Sequence, residues 1–148
     1  MADNDNEIPR DISTVDDAPP YFAYSASLRI YGDIDDLDAI SNELGLRPTH
    51  VHRRGDKAGP KSPEYKDDAW HYKAPILEER PLDEHIQALW TALKSHQAYL
   101  LLLKDTLTID VFCGYRTNHW GAGFQVDSES LEMFVVLNIS FGVSIIVA

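Results

Sequence analysis

The chain has 148 residues, the length of one ordinary domain. Its 13 Lys and Arg residues face 24 Asp and Glu residues, so the formal net charge is -11. This acidic balance argues against a general nucleic-acid-binding surface. The single cysteine, Cys113, excludes an internal disulfide and a cysteine metal cluster. There is no basic, apolar leader and no apolar run near the roughly 20 residues of a membrane span, so we expect a cytoplasmic protein that does not cross a membrane.

The first 20 residues differ in composition from the remainder. They hold six acids and one base, are interrupted by three prolines, and show no apolar periodicity. Such a segment cannot bury enough apolar surface to fold. The sequence therefore predicts a disordered acidic tail over residues 1–20 and a single domain over residues 21–148.

The domain begins with a strand and a helix. Apolar and polar residues alternate from Phe22 to Tyr31, which predicts a strand. Asp33 is a good N-cap for the helix that follows, and Gly45 is a good C-cap. A short second strand is expected over residues 49–54, and a Gly- and Pro-rich loop over residues 55–68.

The middle of the chain is expected to contribute a strand and a helix. Alternation from Trp70 to Ile76 predicts a third strand, and Pro81 suits the first position of a helix whose apolar stripe runs from Leu82 to Leu93. The leucine-rich segment 97–104 fits a buried helix or a buried strand equally well.

Three more elements are expected at the C-terminal end. A strand runs from Leu107 to Tyr115, and Phe124–Val126 is expected to pair back on it as a hairpin. Asp127 or Ser128 is a plausible cap for a third helix, and a final strand is expected over Ile139–Val147.

Two segments resemble each other inside the chain. Residues 33–46 and 127–139 both read as capped helix, short turn and strand, at an offset of 94 that slips to 93. This suggests two related β-α-β halves. The fold class predicted is α+β, a single domain with a mainly antiparallel central sheet of five to six strands, about three helices packed on one face, and a ferredoxin-like arrangement.

A family resemblance adds to this interpretation. Residues 44–56 with their Leu-Gly-Leu-x-Pro-Thr motif, then Trp70, residues 82–89 and residues 123–131 resemble, in that order, a bacterial family of uncharacterised proteins, domain of unknown function 4279. The resemblance covers roughly residues 24–147. It implies the fold, a bacterial origin and a helix over the ambiguous leucine-rich segment, and it carries over no catalytic residues.

His50 and His52 are the first candidates for chemistry. Two residues apart on a strand, they share a face at roughly 7 Å. Such a pair binds a metal if His71, His119 or Asp56 converges on it. Two arginines follow at once and weaken cation binding, so an exposed polar strand face is the favoured interpretation and no metal is predicted.

The basic segment 47–61 is the second candidate. It has a net charge of +4 in an otherwise acidic chain. Its arginines suit a phosphate or carboxylate, and Trp70 is placed to stack a ring nearby. The ligand-binding candidates are therefore Arg47, His50, His52, Arg53, Arg54 and Trp70. An internal match with the five acids of residues 33–43 is the favoured alternative.

The glycine-containing segment 115–123 is the third candidate. It lacks the spacing of a phosphate-binding loop, so a hairpin turn is expected there. His119 and Trp120 at its tip are candidates for a contact with a partner protein. The adjacent acids Asp67 and Asp68 are interpreted as solvated charges.

These features favour a non-enzymatic protein-binding module whose acidic surface meets a basic partner, in the manner of immunity or adaptor proteins. We expect no cofactor. One alternative is a small anionic ligand or phosphate bound by segment 47–61. The other is a metal-dependent enzyme at His50 and His52.

Overall fold

The computed structural model describes residues 19–148, so the predicted tail lies outside the described residues except for its last two. The described part contains five strands: β1 (Phe22–Gly32), β2 (His50–His52), β3 (Asp68–Lys73), β4 (Thr108–Thr117) and β5 (Val143–Val147). Its helices are α1 (Leu37–Leu44), α2 (Leu82–Leu93), α3 (Gln97–Leu103) and α4 (Glu132–Val136). A 3-10 turn over Lys94–His96 joins α2 to α3, so they form one of three helical segments. The helix over the leucine-rich segment is thereby confirmed.

All five strands belong to one sheet in the order β2-β3-β1-β4-β5. The pairs β2–β3, β3–β1 and β1–β4 are antiparallel, and β4–β5 is parallel. The α+β class and the mainly antiparallel sheet are confirmed.

The central strand β1 shows how sequence alternation divides the two faces. Ala26, Leu28 and Ile30 are fully buried and belong to one core cluster with apolar residues of the helical segments. Ser27 and Arg29, between them, lie on the opposite face, which the helices leave open. Burying a side chain such as that of Leu28 contributes about 1.5–3 kcal/mol, so the alternation fixes which face the helices cover.

The two predicted β-α-β halves are not equivalent in the sheet. β4 and β5 are neighbours, as in a simple β-α-β unit, whereas β3 inserts between β1 and β2. The two segments that resemble each other in sequence therefore do not form equivalent halves of the sheet, because of their two units only β1–α1–β2 has a strand inserted into it.

The start of α1 differs from the prediction. Asp36, not Asp33, is its N-cap, and the Asp36 carboxylate accepts a 3.0 Å hydrogen bond from the backbone N–H of Asp38. Residues 33–36 form bends and irregular backbone before that point, and there the backbone N–H of Ile34 donates to the Asp68 carboxylate at 2.9 Å. A contact between distant segments thus overrides the local capping signal.

The predicted hairpin over Phe124–Val126 is wrong. These residues form no strand, and the partner of β4 on that side is β5. The helix expected from Asp127 or Ser128 begins later, at Glu132, because residues 128–131 form turns.

Strand lengths also differ from the pattern. β2 covers three residues of the predicted segment 49–54, and β5 begins at Val143 rather than Ile139. β3 begins at Asp68 and ends at Lys73, before the predicted end at Ile76. Within residues 19–148, no helix is both long and apolar enough to cross a membrane.

Candidate functional site

A cleft of about 660 Å³ opens beside the first residues of β1. Three aromatic rings, two carboxylates and one amide contribute to its walls. The lining residues are Phe22, Tyr24, Glu79, Pro81, Gly123, Phe124, Gln125 and Asp127. Among residues 19–148, no Lys or Arg lines it, so the described walls present aromatic rings, two small apolar residues and negative or neutral polar groups. We call this the aromatic cleft.

Strand pairing assembles its aromatic wall. Tyr24 lies opposite Tyr115 in the β1–β4 register, and their rings stack with centroids 4.7 Å apart and nearly parallel. Phe22 stacks on Tyr115 at 6.5 Å, and Phe124 meets the edge of the same ring at 5.7 Å. The buried Tyr115 therefore holds the three wall residues in place.

Burial raises the pKa of Tyr24 to about 12, helped by the neighbouring Tyr115 phenol. Tyr24 consequently remains a neutral phenol through the physiological range. Its ring contributes a π-face and a hydroxyl to the cleft, not a negative charge.

The carboxylates of the aromatic cleft come from two loops. Glu79 precedes α2, and Asp127 begins the turns before α4. Asp83 of α2 fixes the second loop, because its carboxylate accepts a 2.8 Å hydrogen bond from the backbone N–H of Asp127. Both Glu79 and Asp127 are exposed.

The two predicted partner-contact residues lie next to this cleft. The His119 ring stacks on Phe22 at 6.5 Å, and Trp120 is 88% exposed. The Asn118 side chain secures their loop: its amide oxygen accepts from the backbone N–H of Tyr21 at 2.8 Å, and its amide nitrogen donates to Pro19. His119 and Trp120, the residues predicted to contact a partner, therefore lie next to the aromatic cleft.

A second group of side chains lies on the open face of the sheet. His50 pairs directly with His71 across β2 and β3, and their ring centroids are 5.2 Å apart. His52 stacks face to face on Tyr65 at 3.6 Å. Burial, then the charge of His50, lowers the pKa of His71 to about 4 and also lowers the pKa of His52. Both imidazoles are therefore neutral at pH 7.

These histidines do not form a preformed metal centre. The His50 Nε2 and His52 Nδ1 atoms are 2.8 Å apart and share a hydrogen bond. Among residues 19–148, no group of three His, Cys, Asp or Glu side chains is arranged to hold a metal ion. His50 and His52, the weak metal-ligand candidates, are thus hydrogen-bonded to each other.

The basic segment is spread over several contacts instead of forming one anion site. The Arg53 guanidinium donates to the backbone carbonyls of Ile34 and Asp35, and lies 3.5 Å from the Asp68 carboxylate. Arg54 and Arg47 have exposed side chains that line none of the cavities described here. Arg53 thus connects the segment to the backbone of the loop before α1, and its carboxylate partner is Asp68, not one of the five acids of residues 33–43.

The positions of Asp68 and Trp70 in the structure differ from those predicted from the sequence. Asp68 is not a solvated charge: it is 8% exposed, and backbone N–H groups of Ile34 and Arg54 donate to its two oxygens. These hydrogen bonds lower the pKa of its carboxyl. Trp70 is fully buried in the core and donates to the Ser41 hydroxyl at 2.9 Å, so it is not available to stack a ligand.

Comparison with known proteins identifies the family. The model of the domain of unknown function DUF4279 matches residues 22–148, nearly the whole chain. The chain belongs to the DUF4279 family. Neither a curated protein nor a solved structure shows significant similarity to it. The DUF4279 match agrees with the resemblance found in the sequence and assigns no activity.

Sequence reasoning missed most of the DUF4279 cleft. Phe22, Tyr24 and Phe124 look like ordinary strand residues, and Glu79 and Asp127 look like isolated surface acids. Only the β1–β4 register brings them together. The one usable signal was the exposed aromatic loop after β4, which the sequence did single out.

Proposed function

We propose that this DUF4279 domain is a binding module for a basic protein and acts by recognition, without catalysis. The observation that carries the proposal is the composition of the aromatic cleft. Three rings and two carboxylates surround about 660 Å³ of space, and no Lys or Arg of the part of the chain that the structure describes contributes to the lining. A Lys or Arg side chain of a partner would supply the positive charge that complements these rings and carboxylates.

The physical basis is the attraction of a cation to aromatic faces and carboxylates together. A cation over an aromatic ring gains about 0.5–1 kcal/mol at an exposed site and about 2 kcal/mol when desolvated. Glu79 and Asp127 add charge attraction at the rim, where each exposed ion pair contributes up to about 1 kcal/mol. An arginine fits best, because its planar guanidinium both stacks on rings and pairs with carboxylates.

Trp120 extends this surface. Large exposed aromatic side chains are enriched at the energetic centres of protein interfaces. At 88% exposure beside the cleft, Trp120 supplies a flat apolar anchor next to the cation site. A partner segment that combines an arginine with an apolar neighbour would engage both.

The acidity of the chain as a whole supports the same kind of partner. Five exposed carboxylates surround the start and body of α1, at the far end of β1 from the cleft: Asp33, Asp35, Asp36, Asp38 and Glu43. Together with the net charge of -11 they accelerate encounter with a basic protein. This contribution is long-range and screened by salt, whereas the cleft supplies the specific contact.

The test uses two short blocked peptides, acetyl-Gly-Arg-Gly-amide and its citrulline analogue, which keeps the shape and removes the charge. Binding is followed by ¹H-¹⁵N NMR of the full chain. We expect the arginine peptide to shift resonances of Phe22, Phe124 and Asp127, and to bind at least roughly tenfold more tightly than the citrulline peptide, since about 1.4 kcal/mol is tenfold. Equal affinity, or shifts scattered over the acidic surface, would overturn the proposal.

Matched variants separate the cleft from general acidity. The pair Glu79→Gln and Asp127→Asn removes two charges from the cleft, and the pair Glu43→Gln and Glu64→Gln removes two exposed charges elsewhere. The first pair is expected to abolish the preference for arginine over citrulline. The second is expected to leave that preference intact while changing its salt dependence. If both pairs act alike, the attraction is non-specific.

A further inference from the structure

The strand residues on the open face of the sheet carry a net positive charge, opposite in sign to that of the whole chain. Strand register places Arg29, Lys73 and Arg116 on this face, and Asp110 is the one acid among the strand residues there. The face therefore has a net positive charge, although the chain has a net charge of -11. The local positive charge attracts an anion to this face.

A cavity of about 270 Å³ lies on this face above β1 and β3. The stacked pair His52 and Tyr65 forms one wall, and His71 and Arg29 line it as well. Lys66 and Asp67, the residues after Tyr65, contribute to its rim, so its lining holds two cations and one carboxylate.

Arg29 is held in a fixed position. Its Nε and Nη2 atoms each donate to the Asp110 carboxylate at 2.7 Å, and its guanidinium lies 5.1 Å above the Phe112 ring. Among residues 19–148, Nη1 of Arg29 has no hydrogen-bond partner. A pre-positioned guanidinium binds an anion at a smaller entropic cost than a mobile one.

We propose that this cavity binds a small organic anion that carries a planar ring, of the chemical class of a nucleoside monophosphate. The anionic group is received by Lys66 and the free edge of Arg29, and the ring packs against the aromatic and imidazole wall. The neutral histidines contribute a surface for the ring without competing for the anion, because an uncharged imidazole donates and accepts single hydrogen bonds. Bases stack favourably on aromatic side chains of this kind in proteins that bind single-stranded nucleic acids.

This site is separate from the aromatic cleft in place and in charge. The two cavities share no lining residue, and one attracts cations whereas the other attracts anions. The proposed anion site therefore does not depend on the proposed recognition of a basic protein, and either proposal can fail without the other.

The test measures binding of three probes by calorimetry and ¹H-¹⁵N NMR: adenosine 5′-monophosphate, adenosine, and ribose 5-phosphate. The monophosphate is expected to bind with shifts centred on Tyr65 and His71. Adenosine and ribose 5-phosphate, which each lack one half of the ligand, are expected to bind at least tenfold more weakly. Ribose 5-phosphate that binds as tightly as the monophosphate would overturn the ring requirement. Equal affinity of adenosine would overturn the anion requirement, and no saturable binding of any probe at millimolar concentration would overturn the site itself.

Two lysines of the same loop provide the matched control. Lys66 lines the cavity and Lys61 does not, and both are exposed. Lys66→Ala is expected to weaken monophosphate binding roughly fivefold, as loss of one exposed ion pair does, whereas Lys61→Ala leaves it unchanged. Equal effects of the two variants would indicate general charge attraction and contradict the assigned site.

Discussion

Replacement of His71 by glutamine is expected to change how the stability of the protein depends on pH. Burial and the neighbouring charges of His50 and Arg29 lower the pKa of His71 in the folded protein to about 4. In the unfolded chain a histidine titrates near 6.5. Between these two values the unfolded chain takes up a proton that the folded protein does not, so the folded state loses stability as the pH falls.

The size of the effect follows from the gap between the two pKa values. At 1.36 kcal/mol for each pH unit, a gap from 6.5 to about 4 corresponds to roughly 3.4 kcal/mol. The ring is only partly buried, and solvent screening reduces this figure. We therefore expect the wild-type protein to lose about 2 kcal/mol of stability relative to His71→Gln between pH 7.5 and pH 4.

The assay is urea unfolding of both proteins at half-unit steps of pH, with the wild-type minus variant difference in unfolding free energy as the readout. Titrating groups that do not interact with His71 cancel in that difference. An NMR titration of the His71 ring provides the second measurement. A titration midpoint near 6.5, together with a difference that does not change with pH, would refute the argument from burial.

Three further predictions concern the fold. Leu28→Ala removes a fully buried side chain from the central strand and is expected to lower the free energy of unfolding, measured with denaturant, by about 3 kcal/mol. The control Ile146→Ala, whose side chain is 47% exposed, is expected to lower it by less than about 1 kcal/mol, and similar losses would contradict the assignment of the two faces. Gly45→Ala is expected to lower the free energy of unfolding by about 1 kcal/mol because Gly45 has a left-handed φ of 66°; a Cβ there meets nothing within 4 Å, so the loss is due to the backbone alone. The control Gly142→Ala, where a Cβ also meets nothing and φ is not left-handed, is expected to be neutral. The Asp68 carboxyl has a pKa below its ordinary value of 3.8, so its ionised form stabilises the folded state above pH 3.8, and that stabilisation is lost as the pH falls from 3.8 through the lowered pKa. The melting temperatures of wild type and Asp68→Asn should therefore differ at pH 7 and draw together as the pH falls below 3.8, and a gap of unchanged size would contradict this role.

Much of the fold follows from local patterns in the sequence. The alternation around Leu28, the cap at Gly45 and the apolar stripe of α2 each predict a local structure that is present. These signals are strong because each depends only on residues near one another in the chain. The helix over residues 97–104 needed the family resemblance, since a run of leucines fits two structures.

The errors arise where distant contacts decide the structure. The Asp68 carboxylate takes the N–H of Ile34 and delays the start of α1, and nothing in the local sequence reveals a partner 34 residues away. The expected hairpin after β4 failed because β5 occupies that edge of the sheet. For the same reason the aromatic cleft could not be predicted, because Tyr24 and Phe124 meet only through Tyr115 of β4.

The most direct test of the cleft as the recognition site is a search for intermolecular nuclear Overhauser effects between the full chain and acetyl-Gly-Arg-Gly-amide. The account predicts contacts from the arginine δ-methylene protons to the ring protons of Phe22 and Phe124, and their loss in the variant that carries Glu79→Gln and Asp127→Asn. Contacts from those same methylene protons to residues of α1, with none to Phe22 or Phe124, would contradict it.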